Sequence, residues 1–370
     1  MTLFDGIAAR VIETSRLSVN ILERVGDDPA TPPERTVVLI HGNVSSSLIW
    51  QEVMLDLPHD LRVIAIDLRG FGGTEHTPVD ATRGVRDFTD DIAATLDALE
   101  IPSTHLVGWS LGGGVVLQYA LEHPVQSLTL LSPVSPYGFG GTSRDGSRLS
   151  DDDAGTGAGS VNPDFAERLN DRDVTTEAPT SPRSVFRSRY VASGYASEHE
   201  DVWVESMLST SLASGNYPGD SVGSERWPGF APGESGVLNA LAPKYFNVSG
   251  IVGLPHKPPI AWVHGSEDPI VSDTSFYDYN YLGQLGIVPD WPGADIAPPQ
   301  LMVTQTRDVL EAYRAAGGDV TEVRLEGVGH SAHLEAPAQF RHAILAVIGY
   351  LGAPADPAPP TEAIIITSID

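Results

Sequence analysis

The sequence contains no cysteine and only two lysines, and these absences narrow the functions open to it. Without cysteine, the chain has no disulfide, no thiolate metal ligand and no thiol nucleophile. Its 49 acidic residues outnumber 22 basic ones, which gives a formal net charge of −27. A surface this negative repels phosphate backbones and anionic lipids, so we expect neither nucleic acid nor a membrane as a partner.

Long apolar runs are also lacking. No stretch approaches the roughly 20 residues needed to cross a bilayer, and the opening MTLFDGIAAR has no basic segment followed by an apolar one. An apolar share of 41% is ordinary for a globular protein. We therefore expect a cytoplasmic protein.

Short apolar strands alternate with helical patterns in the first and last thirds of the chain. The strands include TVVLIHGN, LRVIAIDLRG, THLVGWS, SLTLLSP and PPIAWVHGSEDP, each bounded by turn residues. This alternation predicts an α/β fold with a doubly wound, mostly parallel sheet. We assign residues 1–136 and 256–370 to this core.

The alternation stops between residues 137 and 255, which we call the first insertion. A stretch that long is not a plain loop, so we expect a cap or lid over the core. Glycine, serine and aspartate dominate residues 138–160, which predicts a flexible edge of that cap. Residues 275–300 form a shorter second insertion, and the proline-rich tail at 353–370 is expected to be flexible or to pair with a sheet edge.

The sharpest motif is GWSLG at residues 108–112, which follows an apolar strand and opens a helix. Flanking glycines permit the tight strand-to-helix turn that exposes a nucleophile, and the helix N-terminus favours negative charge there. We therefore predict that Ser110 is a catalytic nucleophile.

A serine nucleophile needs a base and an acid from later strand ends. His330 lies nearest the end of the strand TEVRLEGV and is the predicted base, with His333 as the alternative. Asp268, in VHGSEDPIV, is the predicted acid because an Asp-Pro turn favours it, and the adjacent Glu267 is the alternative.

Acyl transfer also requires two donors for a developing oxyanion. The backbone N–H of Leu111 is one, and that of Asn43 in HGNVSSS is the expected second. No GxGxxG motif follows a strand and no histidine pair has zinc spacing, so we expect no organic cofactor and no metal.

Together, HGN, DLRGFGGT, GWSLGG, GSEDPIV and GVGHSAHLEAP resemble the motifs of the α/β-hydrolase superfamily, in its serine-hydrolase branch. The resemblance implies a serine esterase or lactonase that acts through an acyl-enzyme. A carbon–carbon bond hydrolase, a cofactor-free perhydrolase and a receptor-like binding protein are the alternatives. HGN followed by serines also resembles the haloalkane dehalogenases, but that branch uses an aspartate nucleophile.

Both insertions supply aromatic residues to the edge of the sheet that carries Ser110. Some must form a core of their own, and the rest are expected to line a partly apolar pocket. We predict Trp109, His41, His333 and Tyr277 as pocket residues. The expected partner is a small or medium, partly hydrophobic molecule.

Overall fold

The described residues form a nine-stranded mixed sheet as their main layer. The structure is a computed structural model that describes residues 1–26, 35–351 and 364–365, so the predicted tail at 353–370 lies outside the described residues except for its short strand. The strands of the main sheet are β1 (Ile7–Glu13), β2 (Ser18–Arg24), β3 (Thr36–Ile40), β4 (Arg62–Ile66), β5 (His105–Trp109), β6 (Ser127–Leu131), β9 (Ile260–Gly265), β10 (Val320–Leu325) and β11 (Ile364–Ile365). A separate pair consists of β7 (Ser221–Gly223) and β8 (Phe230–Pro232).

The order of the strands explains where a site can form. Across the sheet they run β1-β2-β4-β3-β5-β6-β9-β10-β11. Within this spatial order, the six adjacent strands β4-β3-β5-β6-β9-β10 pair in parallel. The strands β1, β2 and β11 are antiparallel to their neighbours. The order reverses between β3 and β5, so the loops that follow these two strands diverge at the carboxyl edge of the sheet. Ligands of open α/β sheets bind in the crevice at such a reversal.

The central strands are apolar throughout because both faces of the sheet are covered. Every residue of β3 and β6 is buried, and so are four of the five residues of β4 and of β5. Continuous apolar runs of this kind are typical of parallel strands between helical layers. The predicted doubly wound α/β fold is thereby confirmed.

Ten α-helices accompany the strands in the described part of the chain. They are α1 (Gln51–Asp56), α2 (Arg86–Ala98), α3 (Leu111–Glu122), α4 (Pro163–Asn170), α5 (Pro182–Val185), α6 (Glu200–Leu208), α7 (Tyr279–Gln284), α8 (Met302–Ala315), α9 (Ala332–Glu335) and α10 (Pro337–Val347). Helix α2 packs beside α3, and α1 beside α10. Along α2, Phe88, Ile92 and Leu96 recur at helical spacing and are buried.

The chain between β6 and β9 contributes no strand to the main sheet, and all of it is described. It contains α4, α5, α6 and the β7–β8 pair, joined by long turns. Trp203 and Phe246 from this segment are almost completely buried. The Trp203 ring lies 5.9 Å from that of Phe4, and Phe246 lies against Gly114 of α3, so part of the aromatic content of the first insertion packs against the core.

Residues 138–160 differ from the predicted flexible edge, because two buried glutamines hold their first part. The Nε2 of Gln300 donates to the Gly138 carbonyl oxygen at 3.1 Å. The Nε2 of Gln305 donates to Thr142 Oγ1 at 3.0 Å. Both glutamines are fully buried, and leaving such amides unpaired would be costly. These bonds hold the first part of the segment against the start of α8, because Gln300 lies just before that helix and Gln305 lies near its beginning.

No helix among the described residues combines the length and the apolar character that a bilayer span requires.

Candidate active site

Ser110 occupies a strained turn between β5 and α3. Its φ of 57° and ψ of −117° lie outside the regions that residues with a side chain usually adopt. The turn is held by bonds from the Ser110 N–H to the Leu131 carbonyl at 2.9 Å and from the Val134 N–H to the Ser110 carbonyl at 3.1 Å. Such strain persists only where the surroundings enforce it, and it clusters at functional sites.

Glycines let the loop after β3 approach this turn closely. A Cβ added to Gly42 would lie 3.0 Å from the Cβ of Ser110, and one on Gly112 would lie 2.4 Å from the Ile40 carbonyl oxygen. Neither position has room for a side chain without movement of its neighbours. The HGN loop and the Ser110 turn are thus in direct contact.

His330 and Asp268 form a buried pair. The Nδ1 of His330 lies 2.7 Å from Oδ2 of Asp268, and each side chain is 2% exposed. The other carboxylate oxygen of Asp268 accepts the backbone N–H groups of Ile270 and Val271 at 2.8 and 3.0 Å. With Nδ1 donating to the carboxylate, Nε2 is the basic nitrogen of His330. The alternative acid, Glu267, is exposed.

Trp109 connects the Ser110 turn to the His330 loop. Its indole N–H donates to the His330 carbonyl oxygen at 3.0 Å, and the two rings lie 5.3 Å apart between centroids. Because Trp109 directly precedes Ser110, this bond holds the backbone of His330 beside the turn that carries Ser110. The structure therefore brings Ser110, His330 and Asp268 to neighbouring loops at one edge of the sheet.

Gly265 sets the distance between the Asp268 turn and the His330 loop. An added Cβ would lie 2.1 Å from the carbonyl oxygen of Val328 and 2.2 Å from that of Gly329. We expect Gly265→Ala to lower the free energy of unfolding by about 3 kcal/mol, since backbone must move to admit the methyl group. The control Gly253→Ala has open space around the new Cβ. Chemical denaturation measures both, and equal stabilities for the two variants would contradict this account of the packing.

Three of the four side chains predicted for the pocket are completely buried, so the expectation that they line an open pocket is not met. Trp109, His41 and His333 are all 0% exposed. Trp109 directly precedes Ser110, His41 directly precedes Gly42, and His333 follows His330 by three residues. At such positions large rings stabilise the protein more by packing than by facing solvent.

His41 shapes the loop rather than facing a ligand. Its Nδ1 lies 2.7 Å from the Gly42 carbonyl oxygen, and its Nε2 accepts the Leu68 N–H at 3.0 Å. Burial, as the largest influence, lowers the pKa of His41 and keeps the ring neutral. Both ring nitrogens are therefore occupied by backbone.

His333, the alternative base, packs among aromatic rings. Its ring centroid lies 4.7 Å from that of Trp50 and 4.9 Å from that of Trp109. Neither ring nitrogen has a hydrogen-bond partner among the described residues. Burial, with a smaller contribution from His330, holds the pKa of His333 well below its usual value. It is a neutral packing residue without a carboxylate to orient it.

The two predicted oxyanion donors lie on the two segments that meet at the Ser110 turn. Asn43 is in the loop after β3, and Leu111 begins α3. Leu111 is the first residue of α3, where backbone N–H groups have no partner within the helix. Asn43 follows Gly42, and its backbone N–H makes no hydrogen bond to a described residue. Its carbonyl oxygen accepts the Tyr190 hydroxyl at 3.0 Å. Two free donors thus flank the Ser110 turn.

A family model described as the alpha/beta hydrolase fold matches residues 35–285 of the chain. The chain belongs to the α/β-hydrolase family. The match spans the HGN loop, the Ser110 turn and Asp268, and ends before His330.

Curated relatives of this α/β hydrolase match over shorter regions. A 2-hydroxymuconate semialdehyde hydrolase of Pseudomonas sp. strain CF600 is 41% identical over 100 residues, which cover 26% of this chain and 35% of that protein. The chain thus spans about a third of the length of the curated relatives it matches first.

Solved structures share the fold at low sequence identity. An esterase from Exiguobacterium antarcticum superposes with a TM-score of 0.56 at 15% identity, covering 92% of this chain and all of that one (100%). An N-acyl homoserine lactonase superposes with a TM-score of 0.51 at 19% identity, covering 95% and 99%. At these identities the likeness establishes the fold alone.

Tyr190, from the first insertion of this α/β hydrolase, lies beside His330 and close to the phenols of Tyr217 and Tyr277. The ring centroids of Tyr190 and His330 lie 6.2 Å apart. Burial is the main reason that the pKa of Tyr190 is raised well above its usual value, and the phenols of Tyr277 and Tyr217 add to it. Tyr277 is 38% exposed, and burial of its phenol raises its pKa to about 12. The sequence analysis predicted Tyr277 as a pocket residue but did not predict Tyr190, because Tyr190 belongs to no recognisable sequence motif.

A cavity of about 290 Å³ lies elsewhere in the protein, between the loop after β3 and the end of α6. Ser46, Gly72, Leu208 and Thr210 are among its lining residues, and it contains none of the predicted site residues. Among the described residues, no group of three or more histidine, aspartate or glutamate side chains is arranged to hold a metal ion.

Proposed function

We propose that this protein is a serine hydrolase that cleaves a small or medium, partly hydrophobic carboxylic ester or lactone. The observation that carries the proposal is the buried bond of 2.7 Å between His330 and Asp268, beside the strained turn of Ser110. A carboxylate that orients an imidazole next to an activated serine is the arrangement that acyl transfer requires.

In the proposed first half-reaction, Ser110 Oγ attacks the substrate carbonyl carbon while Nε2 of His330 takes the hydroxyl proton. Asp268 holds the imidazole in the required tautomer and stabilises the imidazolium. The carbonyl oxygen gains negative charge and accepts the backbone N–H groups of Asn43 and Leu111. The imidazolium then protonates the leaving alcohol oxygen as its bond to carbon breaks, which leaves an ester on Ser110.

The second half-reaction uses water. His330 removes a proton from the water molecule as its oxygen attacks the acyl carbon of the Ser110 ester, and the same two N–H groups stabilise the oxyanion. The bond to Ser110 Oγ breaks, the serine oxygen regains the proton from His330, and the carboxylic acid leaves. No group beyond the protein and water is needed for these steps.

The tyrosines support a substrate with both apolar and oxygen-bearing parts. The Tyr190 ring lies beside that of His330, and the phenols of Tyr217 and Tyr277 are near enough to Tyr190 to raise its pKa. Rings of this kind bind apolar groups, and the hydroxyls of Tyr217 and Tyr277 can donate to a carbonyl or ether oxygen. We propose that the first insertion, residues 137–255, acts as the cap that carries Tyr190 and Tyr217.

A carbon–carbon bond hydrolase is the second candidate. The observation in its favour is the relative of 41% identity, whose name specifies hydrolysis of 2-hydroxymuconate semialdehyde. A second relative, a 2-hydroxy-6-oxo-2,4-heptadienoate hydrolase of Pseudomonas putida F1, is 40% identical over 103 residues. The same serine, histidine and aspartate would serve either reaction.

A substrate panel distinguishes the two candidates. We expect p-nitrophenyl acetate, p-nitrophenyl butyrate, phenyl acetate or a γ-lactone to be hydrolysed at least about 10²-fold faster in kcat/KM than a vinylogous 1,5-diketone acid, since discrimination reflects differential binding of transition states. Release of p-nitrophenol measures hydrolysis of the nitrophenyl esters, and pH-stat titration measures hydrolysis of phenyl acetate and the lactone. Loss of dienol absorbance measures cleavage of the diketone acid. A preference for the diketone acid would replace the ester proposal with the second candidate.

A further inference from the structure

One short segment of the first insertion contacts both loops that flank Ser110. We call Tyr190–Ala192 the bridging segment. The hydroxyl of Tyr190, a residue that is 8% exposed, donates to the carbonyl oxygens of Asn43 at 3.0 Å and Val44 at 3.3 Å. The end of this side chain therefore holds the loop that supplies one of the proposed oxyanion donors.

The other end of the bridging segment is bound to the His330 loop through Glu335. The Ala192 N–H donates to Glu335 Oε2 at 2.7 Å. The same carboxylate accepts the N–H of Gly329 at 3.0 Å and that of Ser331 at 3.3 Å, the two neighbours of His330 in the chain. One carboxylate thus binds three amides from two distant parts of the sequence.

The packing leaves little freedom at this junction. A Cβ added to Gly329 would lie 2.7 Å from the Ala192 nitrogen and 2.8 Å from the carbonyl carbon of Val191. The Tyr190 ring meets that of Trp109 edge-on at 5.7 Å. The bridging segment is therefore in direct contact with the His330 loop and with the residue that precedes Ser110.

We propose that Tyr190 and Glu335 are positioning residues, through which the bridging segment aligns the Asn43 amide with His330. The inference rests on the proposed function, because it concerns the alignment of that same site. Tyr190 acts on the oxyanion loop through the Asn43 carbonyl, and Glu335 acts on His330 through the amides on both sides of it. Small displacements of aligned groups reduce rates strongly, whereas substrate affinity depends on other contacts.

The first test is Tyr190→Phe, which removes one hydroxyl and retains the ring. We expect kcat for ester hydrolysis to fall about fivefold, as for the loss of a neutral hydrogen bond, while KM stays within about twofold. Tyr313→Phe is the matched control, because Tyr313 is also buried and donates to a backbone carbonyl, that of Pro258, at 2.8 Å. Its kcat should equal that of the wild type.

The second test is Glu335→Gln, which retains shape but replaces one acceptor oxygen with a donor. We expect kcat to fall about 30-fold with KM little changed, because charged acceptors form the stronger bonds. Asp220→Asn is the control, since Asp220 also binds two backbone amides, those of Glu234 and Ser235, within the first insertion. In the double variant Tyr190→Phe/Glu335→Gln, the loss in kcat should be smaller than the product of the single losses.

Labelling by a fluorophosphonate separates this inference from the proposed function. If the wild type is not labelled and hydrolyses no ester, the proposed function fails. If the wild type is labelled and active, three results would overturn the positioning inference: unchanged kcat in Tyr190→Phe, a lower unfolding temperature without a loss in kcat, or exactly multiplicative losses in the double variant. Because Tyr190→Phe removes a single oxygen, it keeps the test decisive even if Glu335→Gln does not fold.

Discussion

Replacing Ser110 with alanine is expected to reduce kcat/KM for ester hydrolysis by about 10³-fold or more, because the hydroxyl forms the covalent intermediate. The residual rate would come from the oxyanion donors and substrate binding alone. Initial rates with p-nitrophenyl butyrate measure the effect.

The fold should survive this substitution. The turn at Ser110 is held by backbone bonds to Leu131 and Val134 that do not involve the hydroxyl. Circular dichroism and the unfolding temperature of Ser110→Ala should therefore match those of the wild type. A folded variant with near wild-type turnover would show that another residue is the nucleophile.

Substitution of the two histidines of GVGHSAHLEAP should change different properties. Loss of His330 should mainly lower kcat, and loss of His333 should mainly lower stability. We expect His330→Ala to reduce kcat by about 10³-fold or more, since it removes the base that faces Asp268. Stability and kcat together measure the effect.

His333→Ala is the matched comparison. It empties a site enclosed by Trp50, Trp109 and Phe340, so we expect the free energy of unfolding to fall by about 2 kcal/mol or more. Its kcat should fall far less than that of His330→Ala. Loss of turnover in His333→Ala with turnover retained in His330→Ala would transfer the base role to His333.

The elements that could be predicted from the sequence are those governed by local patterns. Apolar runs such as TVVLI and SLTLL specify strands buried on both faces. GWSLG specifies a strand-to-helix turn because only a few residue types fit its geometry. Since parallel strands end at one edge of a sheet, the placement of Ser110, Asp268 and His330 at one edge follows from their positions directly after strands. Hence the fold and the junction of these loops were predictable.

The features that were not predictable depend on contacts between distant residues. The hold of Gln300 and Gln305 on residues 138–160 joins positions about 160 apart in sequence, so composition alone suggested flexibility there. Tyr190 likewise contacts Asn43 across 147 positions. The burial of His333 depends on rings from three separate elements. No local pattern encodes contacts of this kind.

The most direct test of the proposed function is to label the intact protein with a fluorophosphonate and to map the modified residue by peptide mass spectrometry. The proposed function predicts one adduct, on Ser110, that forms with the loss of esterase activity and is absent from Ser110→Ala. His330→Ala should slow its formation. An adduct on another residue, or full esterase activity in protein that is completely labelled at Ser110, would contradict the proposal.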